Sequence, residues 1–467
     1  MAIQDNSTLF HKLRKQYPTF TYHAYHYNLE EDKLIISFDF SIGETITFRP
    51  TTVIPRHVAF QDFFENKSLS SLENIIFQIG MIELISYWKC TCSPKVFIKA
   101  GHLDENAIKW WQKIYYHGLG EFFYCNHIRT SFDKFVEIVS ESDKQHELEN
   151  FTLNNEFLVP IGGGKDSVVS LELLKAQKQD ITPLIINPRG ASLSCVEIGG
   201  YSDVYIPIYR SIDKNLLDLN AKNFLNGHTP FSAMLAFYSV LIALLSQKKH
   251  IALSNESSAN EATIKGSDIN HQYSKSFDFE ADFRQYVNTY INKDVNYFSY
   301  LRPLNEMQIA LLFSQFSDYF PVFKSCNVGS KTDSWCCRCP KCLFTFIILS
   351  PFVQPKVLEN IFGENLFNNT FLIPILKELI GETEVKPFEC VGTREEVCVT
   401  LCEAVKQYTN LPPLLSYFKT TSLYEIYNTY SIRNLLEHYE NQHFLSKSEF
   451  DFIKNTISTY INTYNFR

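Results

Sequence analysis

Two short runs hold most of the residues whose types and spacing can do chemistry. The first is GGGKDS, residues 162–167, set between the apolar run FLVPI and the segment VVSLELL. Glycine lets backbone amides approach a ligand with no side chain in the way, and a helix start adds unpaired donors of partial positive charge. Such a loop cradles phosphate. The second is CNVGSKTDSWCCRCPKC, in which Cys326, Cys336, Cys339 and Cys342 are separated by nine, two and two residues. Four thiolates at that spacing can close a tetrahedral zinc site, and reduced, unmetallated cysteines are the plain alternative. Cys337 is a competing ligand. If zinc does not take it, it is a candidate acid or base, beside Arg338 and Lys341, which lower a neighbouring thiol's pKa. A third, polar run from Ser254 brings Asn255, Glu256, His271, Tyr273, Ser274 and Lys275 toward the same region, either as a substrate pocket or as a solvated loop.

These residues need a scaffold that converges them. Phe157, Leu158, Val159 and Ile161 read as a buried strand, and Val168, Leu171 and Leu174 fall three apart on one helical face. The glycines therefore occupy a strand-to-helix turn. Further apolar runs, TPLIINP, DVYIPI and HIALSNE, are separated by helix-length segments, which predicts a parallel sheet with crossover helices. Ligands gather at the carboxyl ends of such strands. That rule brings residues 162–167, residues 187–189 with Asn187 and Arg189, and residues 254–256 to one crevice. The fold class is α/β, with three expected regions: an α+β domain over 1–150, the nucleotide domain with its cysteine cluster over 151–355, and a helical region over 356–467. The amino-terminal aromatics, as in KWWQKIYYHGLGEFFY, read chiefly as core.

Composition limits the partners. The chain has 467 residues, 45% of them hydrophobic, enough for a sizeable core. Its 43 basic and 51 acidic residues give a formal charge of -8, which argues against broad electrostatic binding to nucleic acid or an anionic membrane. An anionic substrate must therefore meet a local basic patch. No apolar segment follows the first basic residues, so a cytoplasmic, reducing setting is expected for the 12 cysteines. The run FSAMLAFYSVLIALL is too short for a membrane span and reads as a buried helix. Nothing in the sequence sets an oligomeric state.

Spacing separates the known glycine-rich loops. A Walker A loop needs glycine and Ser or Thr where Val159 and Asp166 stand, and the dinucleotide fingerprint needs glycine where Ser167 stands. GGGKDS resembles the SGGxDS loop of the PP-loop ATP pyrophosphatases, with Gly162 in place of the leading serine. In such a loop the amides of Gly162, Gly163 and Gly164 wrap the leaving pyrophosphate and Lys165 neutralises its charge. Asp166 holds Mg²⁺, and Ser167 donates to a phosphate oxygen. The expected co-substrate and metals are ATP, Mg²⁺ and, at the cysteines, zinc.

Several stretches together resemble the MurL family of epimerases: GMIELISYWKCTCSP, HGLGEFFYCN, PIGGGKDSVVSLELLK, NHQYSKSFDFEADFR and CCRCPKCLFTF, spread from about Gly80 to Phe346. The resemblance implies an ATP- and Mg²⁺-dependent inversion of the terminal L-glutamate of a UDP-linked muramoyl dipeptide in peptidoglycan precursor synthesis, with AMP and pyrophosphate released. Cys337, His271 and Lys275 are then the candidates for the proton-transfer pair. Two other readings compete. One is a PP-loop enzyme that amidates or thiolates a nucleobase or deazapurine carboxylate, and the other a non-catalytic module binding nucleotide and zinc.

Overall fold

The computed structural model describes residues 4–264 and 269–463. Its strands are β1 (Thr19–Leu29), β2 (Lys33–Ile42), β3 (Ile46–Phe48), β4 (Thr51–Pro55), β5 (Lys95–Ile98), β6 (Glu137–Ser140), β7 (Asn154–Pro160), β8 (Ile181–Ile186), β9 (Ile206–Ser211), β10 (Lys248–Leu253) and β11 (Asn296–Ser299). All join one mixed sheet in the order β11-β10-β7-β8-β9-β4-β2-β1-β5-β6, with β3 attached to β2. The half from β11 to β9 is parallel, and β7 to β10 are the strands expected from the apolar runs, while the edge strand β11 is not among those expected.

Side chains along the parallel strands alternate between two cores. Leu158, Leu184, Ile206, Ile251 and Leu253 enter one, and Phe157, Val159, Ile185, Ala252 and Phe298 enter the other. Period-two alternation with apolar residues on both faces is what a strand covered on both sides by helices requires. One layer contains the helices Glu73–Trp88 and Phe231–Leu245, and the other Lys165–Ala176, Glu306–Phe313, Pro340–Leu349 and the carboxy-terminal helices. Phe231–Leu245 is a buried helix, as its composition suggests. The segment Leu69–Trp88 also has the length and composition to cross a membrane, but 83% of its most apolar window is buried in the protein. It is a core helix. Trp88, Trp111, Tyr87 and Tyr115 are likewise fully buried in the amino-terminal region.

The sheet does not stop at the expected boundary near residue 150. β4 pairs antiparallel with β9 through Thr51 with Ser211, Thr52 with Arg210 and Val53 with Tyr209, so the amino-terminal strands extend the parallel half. Side chains reinforce the joint. The buried Glu83 carboxylate takes a forked ion pair from Arg210, and Tyr238 donates to Glu83 at 3.0 Å. A forked guanidinium–carboxylate pair is directional as well as strong. It fixes Arg210, whose backbone amide donates to Asn187 Oδ1 at 2.8 Å. In this way the amino-terminal region braces the loop that follows β8.

Candidate active site

The turn after β7 is shaped by its middle glycine. Gly163 has φ +86°, and a Cβ there would lie 2.6 Å from the Ser192 amide nitrogen. Only glycine fits both conditions. Its carbonyl accepts from the Lys324 amide at 2.9 Å, which ties the loop to the segment leading into the cysteines. Gly164 is the N-cap of the helix Lys165–Ala176 and supplies no side-chain cap. The neighbouring helix Gly190–Gly199 differs, because Asp333 accepts from the Ala191 amide at 2.8 Å. One helix start is thus filled by a carboxylate and the other is left open.

The open helix start faces a cavity of about 440 Å³. Gly162, Gly164, Asp166, Ser167, Asn187, Arg189, Asn255 and Lys275 are all among its walls. Arg189, Lys275, Lys324 and Lys341 bring four basic side chains, against the carboxylates of Asp166 and Asp333. This is a local basic patch in an acidic chain. Ile185, Ile186, Leu235 and Leu253 contribute apolar wall. Apolar surface with a few convergent polar groups suits a small molecule carrying an aromatic ring and an anionic tail.

Lys165 is placed differently from the rest of the loop. Its ammonium is buried beneath the turn, paired with both Asp166 and Glu306, and it is not among the cavity walls. Burial opposes the charge, but the two carboxylates outweigh it and hold the Lys165 pKa above its ordinary value. Burial pushes the Glu306 carboxyl up despite the pull of Lys165. Glu256 is also buried and outside the cavity wall, accepting from Ser258 Oγ at 3.2 Å. Asn255 lines the cavity and donates to Ser299 Oγ at 3.0 Å. Arg302, fully buried, donates to the carbonyls of Glu256 at 2.7 Å and Lys275 at 2.5 Å, and so pins the polar run after β10.

The Lys275 side chain leads to a group that spacing did not reveal. Its Nζ lies 3.3 Å from Cys390 Sγ. His271 hydrogen-bonds the same sulfur, and its Nδ1 lies 2.5 Å from Glu121 Oε2, with His228 Nδ1 3.1 Å from that oxygen. Burial pulls the His271 imidazole down, and its bonds to Cys390 and Glu121 raise it to about 9. Burial alone would raise the Cys390 thiol, but Lys275, Lys341 and His271 hold it well below the ordinary thiol value. His271 is thus one step behind the cavity and Lys275 is in its wall. Cys337 lies elsewhere. It bonds the Phe362 carbonyl at 3.2 Å, is absent from the cavity wall, and is pushed up to about 11 by burial.

The four spaced cysteines do converge. Cys326 and Cys339 sulfurs lie 3.8 Å apart, Cys336 and Cys342 3.8 Å, and Cys339 and Cys342 3.5 Å. All four sulfurs fall within 4.8 Å of one another. With zinc–sulfur bonds of about 2.3 Å, the edge of a tetrahedron is ~3.8 Å, so the donor set fits the ion. Cys326 is also part of the cavity wall.

Residues 11–300 match the MurL N-terminal domain, and residues 322–412 match the MurL C-terminal domain. The chain belongs to the MurL family. Both MurL regions build the site: the first holds the glycine loop, Glu121, His271 and Lys275, and the second the cysteine cluster and Cys390. The second match also runs past Phe346, where the last family-like stretch in the sequence ends. Three curated relatives carry the name UDP-N-acetyl-alpha-D-muramoyl-L-alanyl-L-glutamate epimerase. The Micromonospora sp. protein is 34% identical over 73% of this chain and 76% of its own length. The Xanthomonas oryzae pv. oryzae protein is 34% identical over 68% and 71%, and the Salinispora tropica protein 31% identical over 78% and 82%. No solved structure gives a significant match.

Proposed function

We propose that this chain inverts the terminal L-glutamate of UDP-N-acetylmuramoyl-L-alanyl-L-glutamate to D-glutamate, consuming ATP and releasing AMP and pyrophosphate. The relatives' shared name supports the substrate and the inversion. The observation that carries the ATP dependence is the uncapped helix start behind Gly162–Gly164, opening on a cavity with four basic side chains. ATP and UDP-linked precursors are cytoplasmic, and so is the proposed reaction.

The chemistry explains why an epimerase would carry a PP-loop. A free carboxylate resists removal of the neighbouring Cα proton because the carbanion adds a second negative charge. Joined to AMP, the same acyl group is neutral at that end and accepts enolate charge. In this reading Arg189, Lys324 and Lys341 hold phosphate oxygens, the amides after Gly162 face the leaving pyrophosphate, and Ile185, Ile186 and Leu253 flank the adenine. Lys165 acts indirectly, by fixing Asp166. Asp166 is the half-buried loop carboxylate in the cavity wall that would hold Mg²⁺, whose contribution is charge neutralisation at the phosphates. Cys326, Cys336, Cys339 and Cys342 would hold a structural zinc ion that fixes the segment supplying Lys324 and Lys341.

The test is incubation with ATP, Mg²⁺ and the L-glutamate dipeptide substrate, followed by nucleotide analysis and determination of glutamate chirality. D-glutamate with AMP and pyrophosphate in equal amounts is expected. ADP and phosphate as the main products would remove the PP-loop reading, and unchanged L-glutamate would remove the epimerase.

A further inference from the structure

We propose that Cys390 is one of the two groups that exchange a proton with the glutamate Cα, set between Lys275 on the cavity side and a His271–Glu121 pair behind it. This rests on the epimerase reading above.

Two contacts tie the Cys390 segment to the cavity, although the Cys390 side chain, like that of Cys337, is not itself part of the wall. Lys275 Nζ, 3.3 Å from Cys390 Sγ, belongs to a cavity-wall residue, as does Lys341. Asn327, a third wall residue, donates to the carboxylate of Glu389, the residue before Cys390. Behind the sulfur, His271 bonds both Cys390 and the buried Glu121 carboxylate, whose other neighbour is His228. A thiol, an imidazole and a carboxylate in series, with an ammonium on the open side, is an arrangement that sustains a thiolate.

The remaining thiols make the contrast. Outside the four-sulfur cluster, Cys90, Cys92, Cys125, Cys195, Cys337, Cys398 and Cys402 are all pushed up, by burial first of all. Cys390 alone among these positions is held low, and the groups acting on it are Lys275, Lys341 and His271, with the Glu389 carboxyl beside them.

The proposed step balances as follows. The Cα–H bond of the activated glutamate breaks, the proton forms an S–H bond on Cys390, and the electron pair moves into the acyl group as an enolate. A second, solvent-exchangeable donor on the opposite face then forms the new Cα–H bond. In the reverse direction Cys390 is the donor. Lys275 stays protonated throughout, offsetting the thiolate and then the enolate charge. His271 and Glu121 are positioning residues.

The experiment compares wild type with Cys390→Ser and Cys390→Ala in deuterium oxide with ATP and Mg²⁺, starting in turn from the L- and the D-glutamate substrate. Both variants are expected to form AMP at a rate near wild type. Their epimerisation should fall by about a hundredfold or more, as for loss of a general acid or base. Deuterium exchange at Cα should be lost from one epimer and kept in the other, because each group serves one face. Full epimerisation by either variant overturns the proposal, as does loss of exchange from both epimers or loss of AMP formation confined to the variants. Absence of AMP formation by wild type would instead overturn the adenylation reading. A second measurement needs no turnover: the ultraviolet thiolate band at neutral pH should be one thiolate weaker in folded Cys390→Ser, and equal bands would overturn the proposal.

Discussion

Lys165 and Glu306, 141 residues apart in the chain, form an ion pair buried beneath the glycine loop. The loop's lysine therefore anchors its own turn to the helix Glu306–Phe313. Replacing it by methionine strands Glu306 and Asp166 without their cation. The expected loss is about 3–5 kcal/mol of stability, as for breaking a buried pair from one side. Urea denaturation of Lys165→Met and of Lys165→Met/Glu306→Gln checks this, and the double variant should recover part of the loss. Equal stability of Lys165→Met and wild type would show that the pair carries no structural load.

Asp166 is the loop carboxylate that also reaches the cavity. Asp166→Asn keeps the shape and removes the charge, so AMP formation should drop about a hundredfold or more while stability changes little. A near wild-type rate would reduce Asp166 to a partner of Lys165.

Gly162 and Gly163 make a matched comparison. A Cβ at Gly162 meets open space, whereas at Gly163 it strikes the Ser192 backbone from a left-handed conformation. Gly162→Ser, which introduces the leading serine of the SGGxDS loops that this one resembles, should stay within about 0.5 kcal/mol of wild type. Gly163→Ala should cost ~1–3 kcal/mol and weaken nucleotide binding. Calorimetry of both variants, with and without ATP, decides it.

Metal analysis of protein purified without chelator should find about one zinc per chain. Cys336→Ser and Cys342→Ser should lose the metal and melt at lower temperature, while Cys337→Ser keeps it. Zinc that departs with Cys337 instead would redraw the ligand set.

Two buried histidines set an acid limit. Burial lowers His146 and His228 from 6.5 to about 4. The folded state binds fewer protons than the unfolded state between these values, so this stability is fully present above pH 6.5 and is lost as pH falls through 4. His228 accounts for about 3 kcal/mol of it, and His146 for less, because solvent screens it more. His228→Asn should flatten the decline of unfolding free energy between pH 6.5 and 4. A decline as steep as wild type would exonerate His228.

The parallel strands β7 to β10, the turn after β7 and the convergence of Cys326 with the three later cysteines could all be read from the sequence. Each depends on local periodicity or close spacing, which a linear chain displays. The pairing of β4 with β9 could not, because TTVIP is a short run whose partner lies more than 150 residues away. Lys165 read as a phosphate ligand because its type and place in the loop allow that role. Only the tertiary approach of Glu306 turns it inward. Cys390 stands in FECVGT with no second ligand at a telling interval, and its significance comes from Lys275 and His271, which are distant in sequence. Cys337 drew attention for the opposite reason, since it lies in a dense motif yet its side chain turns to Phe362.

The antiparallel joint between β4 and β9 makes the chain a strut where two stacked domains would have a hinge. Glu83 grips Arg210, Arg210 holds Asn187, and Asn187 stands in the cavity wall, so displacement of the amino-terminal helix levers directly on the cavity. Cutting the chain near residue 150 would free two unpaired sheet edges, each a template for mispairing with other chains. Neither half can therefore be studied apart as a faithful copy of itself, and dissection of this enzyme has to proceed by point substitution.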